Sequence, residues 1–481
     1  MNNIILSEPS SFFSSSLHLH NRFQSFASAK KWFESKRQPD KFIVEQIPLE
    51  EMGKWRYDDM KSRLYHESGR FFYIEGIHVK TNFGETPEWE QPIIHQPEIG
   101  ILGIITKVFD GIRYFLMQTK MEPGNINLLQ LSPTVQATKS NCLRIHQGKL
   151  PAYLEYFTGK KKVRTLVDQL QTEQGGRFFQ KRNRNIIIEI FDDIEVHDDF
   201  CWLTLAELKL LLQKDNILNM DTRSVLSTIP LIDEKVLTDF NKIDNTLPLF
   251  INGREISKIG KEYIRSYISD DALYSIDDII SWYNRQKVKY ELEVTAKPLS
   301  RLQAWKIDKN SISSDERFFS VIGVKVNAGT REITGWMQPL IKDQNIGLLA
   351  FIIKKINGIL HFLIQAKVEP GNMDIVELSS TVSCSNYMYV ARKEKKPFMF
   401  DEVFNPDNII HYDSLQSEEG GRFYRIQNRN MIIELTHSHE QQIPTNYIWM
   451  TLKQMKEFMR HGMFNIEARS IISTISFIID K

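Results

Sequence analysis

The sequence is poor in the features that most often assign a protein to a class. Its three cysteines, Cys142, Cys201 and Cys384, have no zinc-ligand spacing, and their odd number argues against a disulfide framework. Lys and Arg number 61 against 60 Asp and Glu, so the net charge of +1 gives no general attraction to nucleic acid or to an anionic membrane. The densest apolar run, at 348–353, is far too short to span a bilayer.

Cofactor and metal motifs are also missing. No Gly-x-Gly-x-x-Gly opens a βαβ unit, there is no Walker loop, and no His, Cys and carboxylate residues are grouped at metal-ligand spacing. The Ser-rich N-terminus lacks the basic and apolar segments of a signal peptide. We therefore predict a globular protein of the reducing cytoplasm that needs no metal and no cofactor and binds neither nucleic acid nor membrane.

What the sequence does contain is a repeat. Residues 117–125, Met-Gln-Thr-Lys-Met-Glu-Pro-Gly-Asn, return at 364–372 as Ile-Gln-Ala-Lys-Val-Glu-Pro-Gly-Asn, an offset of 247 residues (365 − 118 for the glutamines). A Gly-Gly-Arg-Phe sequence likewise occurs at 175–178 and at 420–423. Because polar side chains recur in register, the repeat predicts two copies of one polar pocket, and hence of a functional site.

Both copies show the same order of predicted elements. Helices are expected at 26–35, 221–228, 276–286 and 466–477, and strands at 41–46, 72–79, 101–108, 113–120, 185–190, 289–294, 319–326, 348–354, 360–367 and 430–435. Capping boxes begin at Thr204 and Thr451, and Asp110-Gly111 and Asn357-Gly358 predict tight type I′ hairpins. This pattern predicts a tandem duplication of an α+β module with a mixed, mostly antiparallel sheet and flanking helices. The predicted divisions are a first module at 1–230, a connector at 231–270 and a second module at 271–481.

The repeated strand carries the strongest candidate for chemistry. Side chains alternate along a strand, so Gln118, Lys120 and Glu122 share one face, as do Gln365, Lys367 and Glu369 in the second copy. Pro-Gly then ends each strand, and Asn125 or Asn372 follows at the turn. The alternative is that the lysine and glutamate form a solvated ion pair on an exposed strand.

Neutral hydrogen-bonding residues follow the turn. Gln130, Ser132, Thr134 and Gln136 alternate with apolar residues, a pattern that suits a polyhydroxylated ligand such as a sugar, and Asn141 lies a little further on. The second copy has Glu377, Thr381 and Asn386 in the corresponding segment. Because the two sets differ, we expect one copy to perform the chemistry, and the fuller amide set favours the first.

Arginines and one tyrosine complete the predicted site. Arg177 and Arg422 follow flexible Gly-Gly turns, and the other candidates near strand starts are Arg182, Arg184 and Arg429. A guanidinium fork suits a diphosphate, although an arginine in such a turn can instead cap loop carbonyls. Tyr156 presents a ring that can stack on a base or sugar, or pack in the core.

These motifs together resemble the NDP-hexose 2,3-dehydratases. The residues that carry the resemblance are the segments at 118–125, 130–138, 140–141, 154–157 and 182–185 in the first copy and 369–371, 377–382 and 417–424 in the second. The resemblance covers about 20–480 and implies two Nudix-like modules per subunit and a homodimer. The Nudix box itself is absent, so Nudix-type hydrolysis with magnesium is not implied.

The resemblance also implies a reaction. The substrate would be a nucleotide 4-keto-6-deoxyhexose, most often the dTDP-glucose derivative, and loss of water across carbons 2 and 3 would give a 3,4-diketo-2,6-dideoxy sugar for 2-deoxysugar biosynthesis. The ketone of the substrate is the electron sink, and a 3-ketoreductase would act on the unstable product. On this reading Glu122 or a neighbour is the base, and Lys120 stabilises the enolate or protonates the leaving group.

Two other functions stay open from the sequence. The first is a nucleotide-sugar binding protein without catalysis, and the second is a nucleotide-sugar pyrophosphohydrolase. Binding without loss of water would identify the former, and release of the nucleoside monophosphate in magnesium would identify the latter.

Overall fold

The fold is a duplicated α+β arrangement in which sheet predominates. The computed structural model describes residues 2–4, 11–58, 62–138, 150–232, 249–314, 319–329, 334–393, 395–436 and 442–478. The described strands of the first half are β1 (Asn2–Ile4), β2 (Phe42–Ile47), β3 (Trp55–Asp58), β4 (Arg63–His66), β5 (Tyr73–Thr81), β6 (Glu88–His95), β7 (Gly100–Phe109), β8 (Ile112–Met121), β9 (Leu129–Ser132), β10 (Val135–Ala137), β11 (Arg164–Thr172), β12 (Arg182–Glu189) and β13 (Phe200–Thr204). Those of the second half are β14 (Leu249–Ile251), β15 (Arg254–Glu255), β16 (Leu292–Lys297), β17 (Lys306–Ile307), β18 (Ser311–Ser313), β19 (Ser320–Ala328), β20 (Gly335–Lys342), β21 (Gly347–Ile356), β22 (Ile359–Lys367), β23 (Glu377–Ser379), β24 (Val382–Cys384), β25 (Ile409–Ser417), β26 (Phe423–Tyr424), β27 (Gln427–Glu434) and β28 (Tyr447–Thr451).

Short helices flank these sheets. The α-helices are α1 (Phe12–Leu17), α2 (Phe26–Ser35), α3 (Leu205–Leu211), α4 (Met220–Ser227), α5 (Lys258–Ile268), α6 (Ile276–Lys289), α7 (Tyr387–Val390), α8 (Phe400–Val403), α9 (Leu452–Arg460) and α10 (Ile466–Ile472). Single 3-10 turns occur at Pro39–Lys41, Leu49–Glu51, Leu154–Tyr156 and Leu299–Arg301. None of the helices in the described ranges is long and apolar enough to cross a membrane.

Each copy is built on a large mixed sheet. In the first copy the strand order is β11-β12-β7-β8-β13, with β10 beside β7 and β9 beside β8, and in the second it is β23-β22-β21-β27-β25, with β24 and β28 alongside. Only the β12–β7 and β21–β27 pairs are parallel within these two sheets. The predicted mixed, mostly antiparallel sheet is therefore confirmed.

Tight turns set the register of the central hairpins. Asp110 and Gly111 have φ of 48° and 81°, and Asn357 and Gly358 have φ of 51° and 78°. Two successive positive φ values are what a type I′ turn requires, and Asp or Asn followed by Gly adopts them with little strain. The hairpin prediction is confirmed in both copies. The polar ends of β8 and β22 therefore lie at equivalent positions in the two copies.

Helix beginnings follow the sequence closely, and the helix predicted at 26–35 is observed over Phe26–Ser35, but two other predicted helix ends are wrong. Thr204 and Thr451 both form complete capping boxes, with Glu207 and Gln454. The helix predicted at 276–286 continues to Lys289, because good helix formers extend its amphipathic pattern, so the strand predicted from 289 begins instead at Leu292. The helix predicted at 466–477 ends at Ile472.

The smaller sheets exchange strands between the copies. β2, from the start of the first copy, pairs with β19 of the second, and β16, from the start of the second copy, pairs with β5 of the first. Each small sheet thus contains a strand from the opposite copy. The predicted boundaries at 230 and 271 therefore divide the sequence but not the sheets.

The predicted connector, 231–270, contains two short strands and a helix in its described part. Within its described part, β14 pairs with β15 and with β1 in a three-stranded sheet, and α5 packs on the core of the second copy. The rest of the connector, 233–248, lies outside the described residues.

A shared apolar core lies between the two small sheets. It contains Trp55 and Phe72 from the first copy with Trp305 and Phe319 from the second. Phe178 and Phe423, from the two Gly-Gly-Arg-Phe sequences, meet in this core with ring centroids 5.8 Å apart. The segments that carry the two repeated arginines are therefore held next to each other at the junction between the copies.

Candidate functional site

A cavity of about 1390 Å³ opens at the polar end of the first copy's large sheet. The first copy contributes Gln96, Gln118, Lys120, Glu122, Gln136, Glu173, Lys181, Asn183 and Asp221 to its wall. The second copy contributes Trp336, Met337, Gln338, Glu419, Gly421 and Arg422. The cavity is therefore composite, and its carboxylates, amides and cations come from both repeats.

Lys120 and Glu122 lie on the predicted common face and meet in this cavity. The Glu122 side chain is only 6% exposed, and its Oε1 lies 3.6 Å from the Lys120 ammonium. Burial of this kind argues against a solvated ion pair. Glu122 Oε2 is buried and has no hydrogen-bond partner among the described residues, so the protein holds one carboxylate oxygen and leaves the other without a partner.

A chain of amides holds Glu122 in place. Gln136 Nε2 donates to Glu122 Oε1 at 3.0 Å, and Asn219 Nδ2 donates to Gln136 Oε1 at 3.0 Å. Asn219 is the N-cap of α4, and its Oδ1 accepts from the Thr222 amide. The orientation of the carboxylate is thus fixed by the start of a helix, which is a more rigid support than a loop.

Three of the predicted sugar-binding residues are used to hold the protein together. Asn125 is fully buried and donates to the Leu128 carbonyl at 3.0 Å. Gln130 exchanges hydrogen bonds of 2.8 and 3.0 Å with Ser417 of the second copy. Ser132 is buried and donates to the Pro133 carbonyl at 3.0 Å.

Thr134 and Gln118 both line the cavity, but they differ in how far their side chains are bonded to the protein. The Thr134 hydroxyl donates to the Leu116 carbonyl and accepts from the Ile105 amide, so its hydrogen-bonding capacity serves the sheet. The Gln118 side chain is half-buried and lines the cavity. Of the predicted amide and hydroxyl set, Gln118, Thr134 and Gln136 therefore line the cavity, and Gln136 also supports Glu122.

The two repeated arginines serve opposite copies. Arg422, from the second copy, lines the first copy's cavity, where its Nε donates to Gln96 Oε1 at 3.2 Å and its guanidinium stacks 4.1 Å from the Phe72 ring centroid. Arg177, which the sequence placed in the first pocket, stacks 4.0 Å from the Phe319 ring centroid on the side of the second copy. The prediction assigned each arginine to its own repeat, whereas Arg422 lines the first copy's cavity and Arg177 is not among the described residues that line it.

Charged neighbours differ between the two arginines. Burial lowers the pKa of each, and the strongest opposing charge is Glu419 for Arg422 and Asp343 for Arg177. Residue 419 is a glutamate where the first copy has Gln174, and residue 343 is an aspartate where the first copy has Gln96. Arg422 therefore has an acidic neighbour from its own copy, Glu419, and an amide neighbour from the other copy, Gln96. For Arg177 the acidic neighbour, Asp343, comes from the other copy, and the amide residue, Gln174, comes from its own.

Backbone contacts between the repeats produce the crossing. The Gly124 amide donates to the Gly420 carbonyl at 2.7 Å, and the Gly371 amide donates to the Gly175 carbonyl at 2.7 Å. A Cβ at Gly124 would lie 1.7 Å from the Phe423 carbonyl oxygen. Glycine is required here by the close approach of two backbones, so each Glu-Pro-Gly-Asn turn lies against the Gly-Gly-Arg turn of the other copy.

The remaining predicted residues of the first copy lie elsewhere. Arg184 makes hydrogen bonds of 2.8 and 2.6 Å with Asp168, which occupies its guanidinium fork. Arg182 and Arg184 alternate with Asn183 along β12, and neither is among the described residues that line the cavity. Tyr156 is buried in the apolar core, and Asn141 lies outside the described residues.

The second copy reproduces the central ion pair. Lys367 Nζ lies 2.8 Å from Glu369 Oε1 and donates to Ser383 Oγ at 3.0 Å. Burial disfavours the ammonium of Lys367, but Glu369 and Glu467 outweigh burial and raise its pKa. Gln365 lies on the same strand face, half-buried. This pair is closer than the one in the first copy.

The other second-copy residues mostly bond to protein. Burial raises the pKa of Glu377 to about 8, and its carboxyl accepts from Thr172 of the first copy at 3.0 Å. The remaining contacts are Asn372 with the Lys367 and Ile375 carbonyls, Thr381 with the Leu363 carbonyl, Asn386 with Asn345, and Arg429 with Asp413. The second-copy set thus differs from the first in charge, since Glu377 stands where the first copy has Gln130.

Several cavity residues were missed from the sequence. Asp221 is 3% exposed in the first turn of α4, Glu419 has a pKa raised by burial to about 7, and Lys181 has a pKa lowered by burial to about 8. Glu173 is buried between Lys181 and Asn183, and burial raises its pKa. One signal was available for Asp221, because an acidic residue recurs at Glu467 in the second copy.

Metal ligands are not grouped in this part of the protein. Within the described ranges, no three His, Cys, Asp or Glu side chains are arranged to hold a metal ion. The Lys and Arg residues among those that line the cavity are Lys36, Lys54, Lys120, Lys181 and Arg422.

Comparison with known proteins gives a consistent result. A model of the NDP-hexose 2,3-dehydratase family matches residues 26–229 and again 276–475. A dTDP-4-dehydro-6-deoxy-alpha-D-glucopyranose 2,3-dehydratase of Saccharopolyspora spinosa is 41% identical over 453 residues, which is 92% of this chain and 90% of that protein. Proteins of the same name from Amycolatopsis orientalis and Streptomyces violaceoruber are 39% and 36% identical, over 93% and 94% of this chain and 89% and 98% of their own lengths.

Proposed function

Because the chain belongs to the NDP-hexose 2,3-dehydratase family, we propose that it removes water across carbons 2 and 3 of a dTDP-linked 4-keto-6-deoxyhexose. The product is a 3,4-diketo-2,6-dideoxy sugar, the intermediate from which 2-deoxysugars are made. The observation that carries the site assignment is the buried Lys120–Glu122 pair on the wall of the large cavity. The family model matches the chain twice, and this double match accounts for the duplicated motifs.

Glu122 is the proposed base. The ketone at carbon 4 acidifies the proton on carbon 3, and a base must take that proton to form the enolate. Glu122 Oε2 has no partner among the described residues, while Gln136 and Lys120 hold Oε1. A carboxylate that is fixed through one oxygen presents the other in a defined direction, which is the geometry that proton abstraction needs.

Lys120 carries the charge that the enolate requires. Its ammonium lies on the same strand face as Glu122, so both groups reach one side of the sugar ring, which suits a syn elimination. The lysine either stabilises the enolate oxygen or supplies a proton to the departing hydroxyl. In the elimination the carbon 3–hydrogen and carbon 2–oxygen bonds break, the double bond forms between carbons 2 and 3, and the enol then tautomerises to the diketone.

Arg422 is the proposed diphosphate ligand of the reacting pocket. It lines the cavity, whereas Arg177 lies on the second copy's side and Arg184 is occupied by Asp168. Gln118 and Gln136 present amides to the sugar hydroxyls, and Trp336 supplies an aromatic face at the cavity wall. The first copy is therefore the proposed reacting copy, and the second pocket, with Lys367 and Glu369, is proposed to bind a second nucleotide.

Four broader assignments belong to the same proposal. Each copy is a Nudix-like module, and superposition of the β7–β8 and β21–β22 sheets on Nudix folds checks this. The active form is a homodimer, which analytical ultracentrifugation measures. The enzyme works in the cytoplasm, in keeping with free Cys201 and Cys384. Its product is passed to a 3-ketoreductase, because a vicinal diketone is too reactive to accumulate.

Proton NMR of the coupled reaction tests the function. The protein is incubated with dTDP-4-keto-6-deoxyglucose, a 3-ketoreductase and NADPH, which trap the diketone. New methylene signals at carbon 2 are expected. An unchanged sugar with bound nucleotide would instead identify a binding protein, and release of dTMP in magnesium would identify a pyrophosphohydrolase.

A further inference from the structure

Asp221 is a second buried carboxyl on the wall of the reacting cavity. It occupies the first turn of α4, two residues after the Asn219 cap that orients the amide chain to Glu122. The side chain is 3% exposed and lines the cavity, and its Oδ1 has no hydrogen-bond partner in the described part of the chain. A buried polar atom without a partner is unfavourable, so a carboxyl group that lines a cavity in this state is placed for a ligand.

The surroundings of Asp221 favour its protonated form. Burial is the first cause that raises its pKa, and the negative fields of Glu419, Glu173 and Glu122 raise it further, whereas Lys120 acts in the opposite sense. A neutral carboxyl group donates a hydrogen bond and carries a transferable proton. Glu122 and Asp221 thus form two carboxyl groups in one cavity with different surroundings, the pattern of an acid and a base.

The proposed reaction needs an acid as well as a base. Once the enolate has formed, the carbon 2–oxygen bond must break, and hydroxide is a poor leaving group unless it receives a proton. Lys120 is the only cation on the strand face of Glu122 in the described structure, and the enolate oxygen requires its charge. A separate proton donor for the hydroxyl on carbon 2 removes the conflict between these two demands.

We propose that Asp221 is the catalytic acid that protonates the departing hydroxyl on carbon 2, an inference that rests on the dehydratase function proposed above. Glu122 takes the proton from carbon 3, the electrons of the enolate expel the oxygen on carbon 2, and that oxygen leaves as water with the Asp221 proton. Asp221 ends as a carboxylate and Glu122 as a carboxylic acid, so the protons balance without any oxidant or reductant. The new carboxylate lies in the first turn of α4, where the helix dipole stabilises negative charge.

An Asp221→Asn variant separates this role from a structural one. The amide keeps the size of the side chain but has no proton to transfer, so dehydration should fall by about 10²- to 10⁴-fold. The variant should retain elimination from the 2-deoxy-2-fluoro analogue of the substrate, because fluoride leaves as an anion and needs no acid. A rate of water elimination close to that of the wild type would overturn the proposal, and so would an equal loss of fluoride elimination.

Two controls make the outcome unambiguous. Glu467→Gln changes the corresponding acidic residue of the second copy, which is not among the described residues lining the cavity, and it should leave dehydration unchanged. If Asp221→Asn does not fold, as judged by circular dichroism, Asp221→Ser takes its place with the same two substrates. Failure of the wild-type protein to dehydrate the natural substrate would refute the proposed function, whereas a normal wild-type rate with an unaffected variant would refute only the role of Asp221.

Discussion

Replacing Arg422 with methionine tests whether this arginine of the second copy binds the ligand in the first copy's cavity. Methionine keeps an unbranched apolar stem over Phe72 but removes the charge that Arg422 brings into the cavity. A hydrogen bond to a charged group contributes about 1.5–3 kcal/mol, so loss of the diphosphate contact should weaken nucleotide-sugar binding by roughly 10- to 150-fold. The effect should fall on KM, with a smaller change in kcat, because the diphosphate is remote from the bond that breaks.

The repeat supplies a matched control for this experiment. Arg177 lies in an equivalent local setting, stacked on Phe319 and bonded to the Gly176 carbonyl as Arg422 is bonded to the Gly421 carbonyl. Arg177→Met should therefore cost a similar amount of stability in thermal denaturation. Its KM should stay within about twofold of the wild-type value, since its charge does not face the reacting cavity.

Steady-state rates of the coupled assay, with NADPH consumption as the readout, measure both variants. The reasoning is refuted if Arg177→Met raises KM as much as Arg422→Met does, or if Arg422→Met leaves KM unchanged while the enzyme remains folded. The first result would mean that each arginine serves its own repeat. The second would mean that the diphosphate binds elsewhere in the cavity.

Three further changes test other parts of the structure. Glu122→Gln should abolish turnover while nucleotide binding, measured by calorimetry, stays close to wild type; normal turnover removes Glu122 from the mechanism. Glu377 has a pKa of about 8 when folded against an ordinary 4.5, so its contribution to stability is lost as pH rises between these values. Glu377→Gln should therefore raise Tm more at pH 8.5 than at pH 5, and equal shifts at both would contradict the buried protonated acid. Gly124→Ala puts a Cβ against the Phe423 carbonyl oxygen and should lower stability by about 1–3 kcal/mol in denaturant unfolding; an unchanged midpoint would show that the turn is looser than described.

Local chemistry made much of the fold predictable. The type I′ hairpins at Asp110-Gly111 and Asn357-Gly358 and the capping boxes at Thr204 and Thr451 depend on residues adjacent in sequence, so their patterns suffice. Alternation along β8 likewise placed Lys120 and Glu122 on one face. The end of α6 was harder, because a helix continues until packing or a terminating residue stops it.

Long-range pairing explains what the sequence did not reveal. The exchange of β2 and β16 between the small sheets and the crossing of Arg177 and Arg422 depend on contacts between residues of the two different copies, which lie far apart in the sequence. A repeat shows that two segments are alike but not which pocket each one lines. Asp221 was hidden for a different reason, since a single carboxylate at the start of a helix resembles an ordinary favourable helix terminus.

The recurrence of Asn125 as Asn372 has a second explanation in this light. Both asparagines are buried against the Gly-Gly turn of the opposite copy rather than exposed to a ligand. Part of the repeated polar pattern therefore records contact between the two copies. The other part is the pair Lys120 and Glu122, which recurs as Lys367 and Glu369. In each copy the two side chains lie on one face of the strand, as the residues of a site would.

The crossed turns also change how this protein can evolve. Gene duplication ordinarily leaves one copy free to decay while the other keeps the original activity. Here the second repeat supplies Arg422 and Glu419 to the first repeat's cavity and receives β2 in return. A substitution in one repeat therefore also affects the pocket or sheet of the other repeat, and selection acts on both together. Neither repeat can be lost while the other keeps its function.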